Sequence, residues 1–172
     1  LYFDNSVLEI YSTLKAGASL HFISKRALVC PAMLPYYLNK YHINTLFWVP
    51  TVYPMVAKTG ALAEDPPREI THCFFCGEVM PVSTLNAWKA VLPDAVYVNM
   101  YGPTECAVYV TSTKVNGTPL RYPIGTVNDN LRAYIVDKNG MRLPVGAPGE
   151  LLIAGRQVGK GYLGLPDKTA ES

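Results

Sequence analysis

Residues 95–108 read AVYVNMYGPTECAV. An apolar, β-rich run meets Gly102-Pro103, which no regular element carries through. The run AVYVNMYG fits a buried strand, and the turn after it holds more than a turn needs. Gly and Pro suffice to reverse the chain, yet Tyr101, Thr104 and Glu105 flank them. In an open parallel sheet ligands bind just beyond the carboxyl ends of strands. An aromatic ring, a hydroxyl and a carboxylate at such a place suit a base, a phosphate and a metal ion. From residue types alone, a turn with a solvated Glu weighs about as much.

Working outward, the same texture recurs upstream. INTLFWVP (43–50) and THCFFCG (71–77) are compact apolar runs, as expected of buried parallel strands. Helical spacing marks FDNSVLEIYSTL (3–14), residues 31–41, 54–59 and 81–91. SLHFIS (19–24) alternates as a strand, and ALAEDPPREI (61–70) reads as a polar, Pro-rich loop. Strands alternating with helices imply βαβ units and a mostly parallel sheet with flanking helices, an α/β class.

After Glu105 the pattern changes. CAVYVTSTKV (106–115), LRAYIVDKNGMRL (131–143) and GELLIAG (149–155) read as strands parted by Gly, Pro and Asn turns. Asn139-Gly140 marks a hairpin. No helix is expected between residues 113 and 164. The chain thus divides into an α/β portion, 1–110, and a β-rich, distorted barrel-like portion, 111–172, both parts of one incomplete domain.

Three strand ends then converge on one edge. Pro50-Thr51 follows the first parallel strand, Gly77-Glu78 the second, and 99–105 the third. Asp4 is suited to cap the first helix, which is its ordinary reading; the alternative is a carboxylate that holds an ammonium group. The glycine-rich GELLIAGRQVGKGYLG is no G-x-G-x-x-G and reads as structural. His21, His42 and His72 have no nucleophile or metal partner at useful spacing. Cys73 and Cys76 form a C-x-x-C, but on a strand residues three apart face opposite ways. Isolated thiols in a reducing cytoplasm are therefore expected.

The 172 residues are 49% hydrophobic and 16% charged, enough for a core, with no apolar run near the ~20 residues of a membrane span. The net charge is +2 and the basic residues are scattered, which disfavours a nucleic-acid partner. The chain opens within an apolar run and stops at PDKTAES, the beginning of a helix. An internal piece of a longer protein is expected.

Four strings in this order resemble the adenylate-forming superfamily of acyl- and aminoacyl-AMP ligases: FDNSVLEIYSTLKAGASL, CGEVMP, NMYGPTE and GELLIAGRQVGKGYLGLPDKTAES. The F-D-x-S of residues 3–6 is similar to amino-acid-activating members, and FFCGEVMP (74–81) resembles D-alanine–carrier protein ligases. The resemblance implies that Asp4 holds the substrate ammonium. Cys76 and Val108, with Met100, would wall a small side chain; Phe47 and Tyr109 are further candidates. Gly77, Glu78, Asn99, Met100, Tyr101, Gly102, Pro103 and Thr104 would contact ATP. Tyr101 would stack on adenine, Thr104 would meet the α-phosphate, and Glu105 would bind Mg²⁺, so Thr104 and Glu105 carry the chemistry.

The implied reaction joins a D-alanine-like amino acid to AMP and passes it to the phosphopantetheine thiol of an acyl or peptidyl carrier protein. A synthetase domain for another small or apolar amino acid, and a non-catalytic ligand-binding remnant, are the alternatives. The superfamily's phosphate loop, ribose-binding Asp and catalytic Lys have no counterpart here. The isolated chain is therefore expected to be inactive.

Overall fold

A computed structural model describes residues 3–171. Three helices lead in: α1 (Asn5–Lys15), α2 (Lys25–Val29) and α3 (Leu34–Lys40), the last entered through a 3₁₀ turn at Pro31–Met33. The sheet begins with β1 (Thr45–Trp48). α4 (Val52–Ala57) and α5 (Ala61–Glu64) cross to β2 (His72–Cys76), and α6 (Val82–Val91) crosses to β3 (Val96–Tyr101). β1, β2 and β3 pair in parallel, so two βαβ units form the heart of the chain. Apolar residues dominate these strands, and Leu46, Cys73, Phe75 and Tyr97 are buried in the main core.

Aromatic packing joins the crossover helices to the sheet. Trp88 and Tyr53 are fully buried, with ring centroids 5.1 Å apart and edge-to-face. Trp48 and Phe75 complete the cluster at 6.0 Å from Trp88 and 5.9 Å from Tyr53. Both polar handles find partners. The Trp88 indole N–H donates to the Tyr53 carbonyl (3.0 Å), and the Tyr53 hydroxyl donates to the Phe74 carbonyl (3.1 Å). Buried aromatics of this kind need such partners.

β4 (Thr111–Lys114) returns antiparallel beside β3, and β5 (Thr126–Val127) closes that edge, giving the order β1-β2-β3-β4-β5. β6 (Leu131–Val136) and β7 (Glu150–Gly155) form a separate antiparallel pair, and α7 (Pro166–Glu171) follows. Within the 137–141 turn, the Asp137 carboxylate accepts from the backbone N–H groups of Asn139 and Met141, both at 2.9 Å. Gly140, at φ +76°, takes the left-handed position there.

Several expected elements differ. Residues 19–24 form no strand; the segment is largely exposed, and no neighbour offers it a ladder. Its last residue, Ser24, instead caps α2 by accepting from the Ala27 N–H (3.2 Å). The loop at 61–70 opens with one helical turn, α5. The strand expected from Cys106 starts only at Thr111, because Thr104–Cys106 make a 3₁₀ turn and Ala107 and Val108 take positive φ.

Cys73 and Cys76 are both buried free thiols. Cys73 belongs to the main core, and burial pushes its pKa up to about 12. His42 pairs with Glu69 at 2.6 Å on the surface, and His72 stacks on Phe74. Among the described residues no helix is long and apolar enough to cross a membrane.

The Trp88–Tyr53 contact predicts a large cost for Trp88→Ala, about 3–5 kcal/mol as for other buried aromatics. Urea unfolding measures it; a loss below ~1 kcal/mol would remove Trp88 from the centre of the core.

Candidate functional site

The carboxyl ends of β1, β2 and β3 lie side by side because the three strands run in register: Trp48 opposite Phe75, Phe75 opposite Asn99, and Cys76 opposite Met100. The chain leaves β2 through Gly77 at φ +102°, which a side chain would strain. Glu78 then reaches back to β1's exit. Its carboxylate accepts from the Thr51 backbone N–H (3.1 Å) and from the Thr51 hydroxyl. The expected edge of Thr51, Glu78 and the Asn99–Glu105 segment is thus physically linked.

A cavity of about 210 Å³ opens on this edge. Gly77, Glu78, Asn99, Met100, Tyr101 and Gly102 line it, all of them residues the sequence pointed to. Tyr101 is 41% exposed, a ring available to a flat partner. Asn99 is buried and donates through Nδ2 to the Pro123 carbonyl (2.8 Å). Tyr122 and Ile124 also line this cavity. They come from the irregular segment between β4 and β5, and no sequence signal placed them there. A broader surface depression of about 600 Å³ beside Arg132 and Arg156 holds none of the predicted site residues.

Beyond the cavity the chain turns sharply. Pro103 is extended, Thr104 and Glu105 are exposed in the 3₁₀ turn, and Cys106 is buried beneath it. Ala107 (φ +52°) and Val108 (φ +74°) are consecutive left-handed residues without being glycine. Each such conformation costs roughly 1 kcal/mol or more and persists only where surroundings impose it. Gly102 is needed for this packing. A Cβ there would lie 2.4 Å from the Tyr109 Cα and 2.8 Å from the Val108 carbonyl oxygen. Its smallness first serves the protein's own backbone, a reason the sequence reading did not give.

Asp4 meets this turn. It occupies the N-cap position of α1, but its side chain makes no cap bond. Oδ2 instead accepts from the Val108 N–H at 3.1 Å, across 104 residues of sequence. The ordinary capping reading of Asp4 is therefore corrected. The Cys76 thiol donates to the Val108 carbonyl (3.6 Å) from the other side. Burial pushes the Cys76 thiol up; a backbone bond from Gly77 opposes this shift and the nearby Asp4 carboxylate adds to it. Asp4, Cys76 and Val108 thus form one corner, with Met100 beside Cys76 in the ladder.

The β7 exit, read as structural, also reaches the turn. The Tyr162 hydroxyl donates to Glu105 Oε1, and the Gly159 N–H donates to the Glu105 backbone carbonyl (2.7 Å). The bond from Tyr162 holds the Glu105 carboxyl below its usual range, so it is ionised at neutral pH. Such an exposed anion fits Mg²⁺, which keeps several waters and takes one or two carboxylates plus phosphate oxygens. No group of three His, Cys, Asp or Glu gathers among the described residues, so phosphate and water would supply most ligands. Tyr162 lies 57 residues from Glu105, a contact no local pattern announces.

Residues 1–163 match the family of AMP-binding enzymes. The chain is 38% identical, over 99% of its length, to the D-alanine–D-alanyl carrier protein ligase of Lactiplantibacillus plantarum, covering 34% of that protein. To the ligase of the same name from Bacillus velezensis it is 33% identical over 99% of its length, covering 35% of that protein. It superposes on the Vibrio cholerae adenylation domain AlmE, solved in complex with glycyl-adenosine-5'-phosphate, with a TM-score of 0.86 and 30% identity. That match covers 100% of this chain and 33% of the other. The chain spans about a third of the length of the relatives it matches. The strand-end cavity and the YGPTE turn thus belong to a member of the AMP-binding enzyme family.

Proposed function

We propose that this chain carries the amino-acid pocket and part of the nucleotide site of an ATP-dependent amino-acid ligase. The substrate is a small amino acid, D-alanine first. The single observation that carries this reading is the corner of Asp4, Cys76 and Val108 beside the strand-end cavity. One Asp4 oxygen is engaged by Val108, and a carboxylate has capacity for further donors. A substrate ammonium fits that remaining capacity. Cys76 and Met100, both nearly solvent-free, would form a compact apolar wall that suits a side chain as small as a methyl group.

The nucleotide would occupy the neighbouring cavity. Tyr101 offers its ring to adenine, with Gly77 and Glu78 bordering the base, and Asn99, Met100, Gly102 and Pro103 shape the floor and exit. The Thr104 hydroxyl donates to the α-phosphate. The substrate carboxylate oxygen attacks the α-phosphorus, the new O–P bond forms, and the bond to pyrophosphate breaks. Two anions must approach, and Mg²⁺ on Glu105 supplies charge neutralisation when bound. The relatives' names support the next step, transfer of the aminoacyl group to a carrier-protein thiol. Protonated, unpaired thiols at Cys73 and Cys76 suit a reducing cytoplasm.

A second reading, a synthetase-type domain for glycine or another small amino acid, is favoured by the AlmE likeness. Pyrophosphate exchange by the intact protein, run across D-alanine, L-alanine, glycine and larger amino acids, separates the two. Strongest exchange with D-alanine supports the first; strongest with glycine supports the second; none with any amino acid removes both.

Asp4→Ala is expected to cut amino-acid-dependent exchange by at least about 100-fold, the cost of an unpaired ammonium, while ATP still binds. Unchanged exchange would leave Asp4 as a bracket for Val108 alone. Cys76→Ala widens the wall, and the preference for alanine over a substrate one carbon larger should fall about tenfold. A constant preference ratio would place the side-chain pocket elsewhere. Tyr162→Phe frees the Glu105 carboxylate, and the Mg²⁺ concentration for half-maximal exchange should shift several-fold, about the effect of a lost second-layer contact. An unmoved Mg²⁺ curve would detach Tyr162 from the metal site.

A further inference from the structure

We propose that Gln157 is a positioning residue for the amino-acid pocket, acting through the left-handed turn at Ala107–Val108. The proposal rests on the reading of Asp4, Cys76 and Val108 as that pocket. Gln157 follows β7 by two residues and is half-buried. Its Nε2 lies 3.2 Å from the Cys106 carbonyl, 3.3 Å from the Ala107 carbonyl and 3.4 Å from the Tyr109 carbonyl. Three acceptors converge on one amide, so the nitrogen end must face them; the oxygen end would be repelled.

The convergence is a consequence of the turn. Left-handed φ at Ala107 and Val108 swings neighbouring carbonyls toward one side. Their dipoles repel one another, and a donor at the point of convergence relieves this. Asn128 shares the load at Tyr109, to which its Nδ2 donates (3.3 Å), but Gln157 is the side chain that reaches Cys106 and Ala107. The Gly159 N–H fixes the Glu105 carbonyl just before them. The β6–β7 ribbon, paired along its whole length, thus braces the turn from below.

What the brace holds is the Val108 backbone, on both its N–H and its carbonyl side. Val108 N–H engages Asp4 and Val108 C=O receives the Cys76 thiol. If the carbonyls on either side relax toward ordinary φ, both Val108 groups rotate away. The charged end and the wall of the pocket then lose their alignment together. Gln157 touches neither, so its effect on the amino acid is indirect, and the nucleotide cavity, which it does not line, should be spared.

The test uses the intact protein with Gln157→Leu, which removes the donor at similar size, and Gln157→Lys, which restores donors at similar reach. In pyrophosphate exchange, the leucine variant should raise KM for the amino acid about tenfold and leave KM for ATP within about twofold. The lysine variant should recover most of that loss. Equal rises in both constants, or no rise, would overturn the proposal. A second measurement does not depend on catalysis. Iodoacetamide labelling near neutral pH, read by peptide mass, should modify Cys76 and Cys106 at least about fivefold faster in the leucine variant, with Cys73 still protected. Lysine should restore protection. Labelling of Cys73 in parallel would mean general unfolding, and unchanged rates would mean that Gln157 holds nothing; either result overturns the proposal. Absence of exchange in the unsubstituted protein would sink the ligase reading alone, and labelling would still decide the brace.

Discussion

The candidate site depends on the parallel pairing of β2 with β3. That register sets Phe75 against Asn99 and Cys76 against Met100, so both strands end at one level. A slip by one residue would turn every side chain to the other face. Cys73 would leave the core, and Cys76 would lose Val108. The aromatic cluster makes such a slip costly. Tyr53 and Trp88, on successive crossover helices, pack against Phe75 and Trp48 from one face. The core on that face therefore fixes the chemistry on the edge.

With the strands fixed, the remaining problem is the turn after β3. Gly102 lets the chain fold back until Tyr109 touches it, and the return strand starts only at Thr111. The intervening residues adopt conformations their types disfavour. Three distant groups compensate: Asp4 from the first helix, Cys76 from β2 and Gln157 from the β7 exit. Strain of this kind concentrates at functional sites because a ligand pocket needs backbone groups aimed where regular structure would not aim them.

This division explains what the sequence disclosed. The βαβ pattern was legible because periodicity and strand composition are local signals. The edge of Thr51, Glu78 and Asn99–Glu105 followed from topology alone. The left-handed turn did not, since Ala and Val carry no mark of positive φ. Residues 19–24 misled for a related reason: alternation describes a strand's faces, but only a partner makes a strand. Gln157 and Tyr162 were hidden in a glycine-rich run, and their partners lie about fifty residues upstream. Asp4 was half legible. Its type and place are those of a cap, yet its carboxylate spends itself on Val108.

The electrostatics of that corner favour a single charge. Burial and the Asp4 carboxylate both act against a thiolate at Cys76. The thiol therefore stays neutral and donates to Val108, beside the Asp4 carboxylate. On the proposed reading of this corner, a neutral, compact wall beside one carboxylate would discriminate twice. It would attract an ammonium group and reject side chains that need to bury charge or displace Met100. Val108 joins the two tests, because this one residue engages the carboxylate through its N–H and the Cys76 thiol through its carbonyl. On the proposed reading, a change that turns the Val108 backbone would alter charge recognition and size recognition together, whereas a change at Cys76 alone would alter only size.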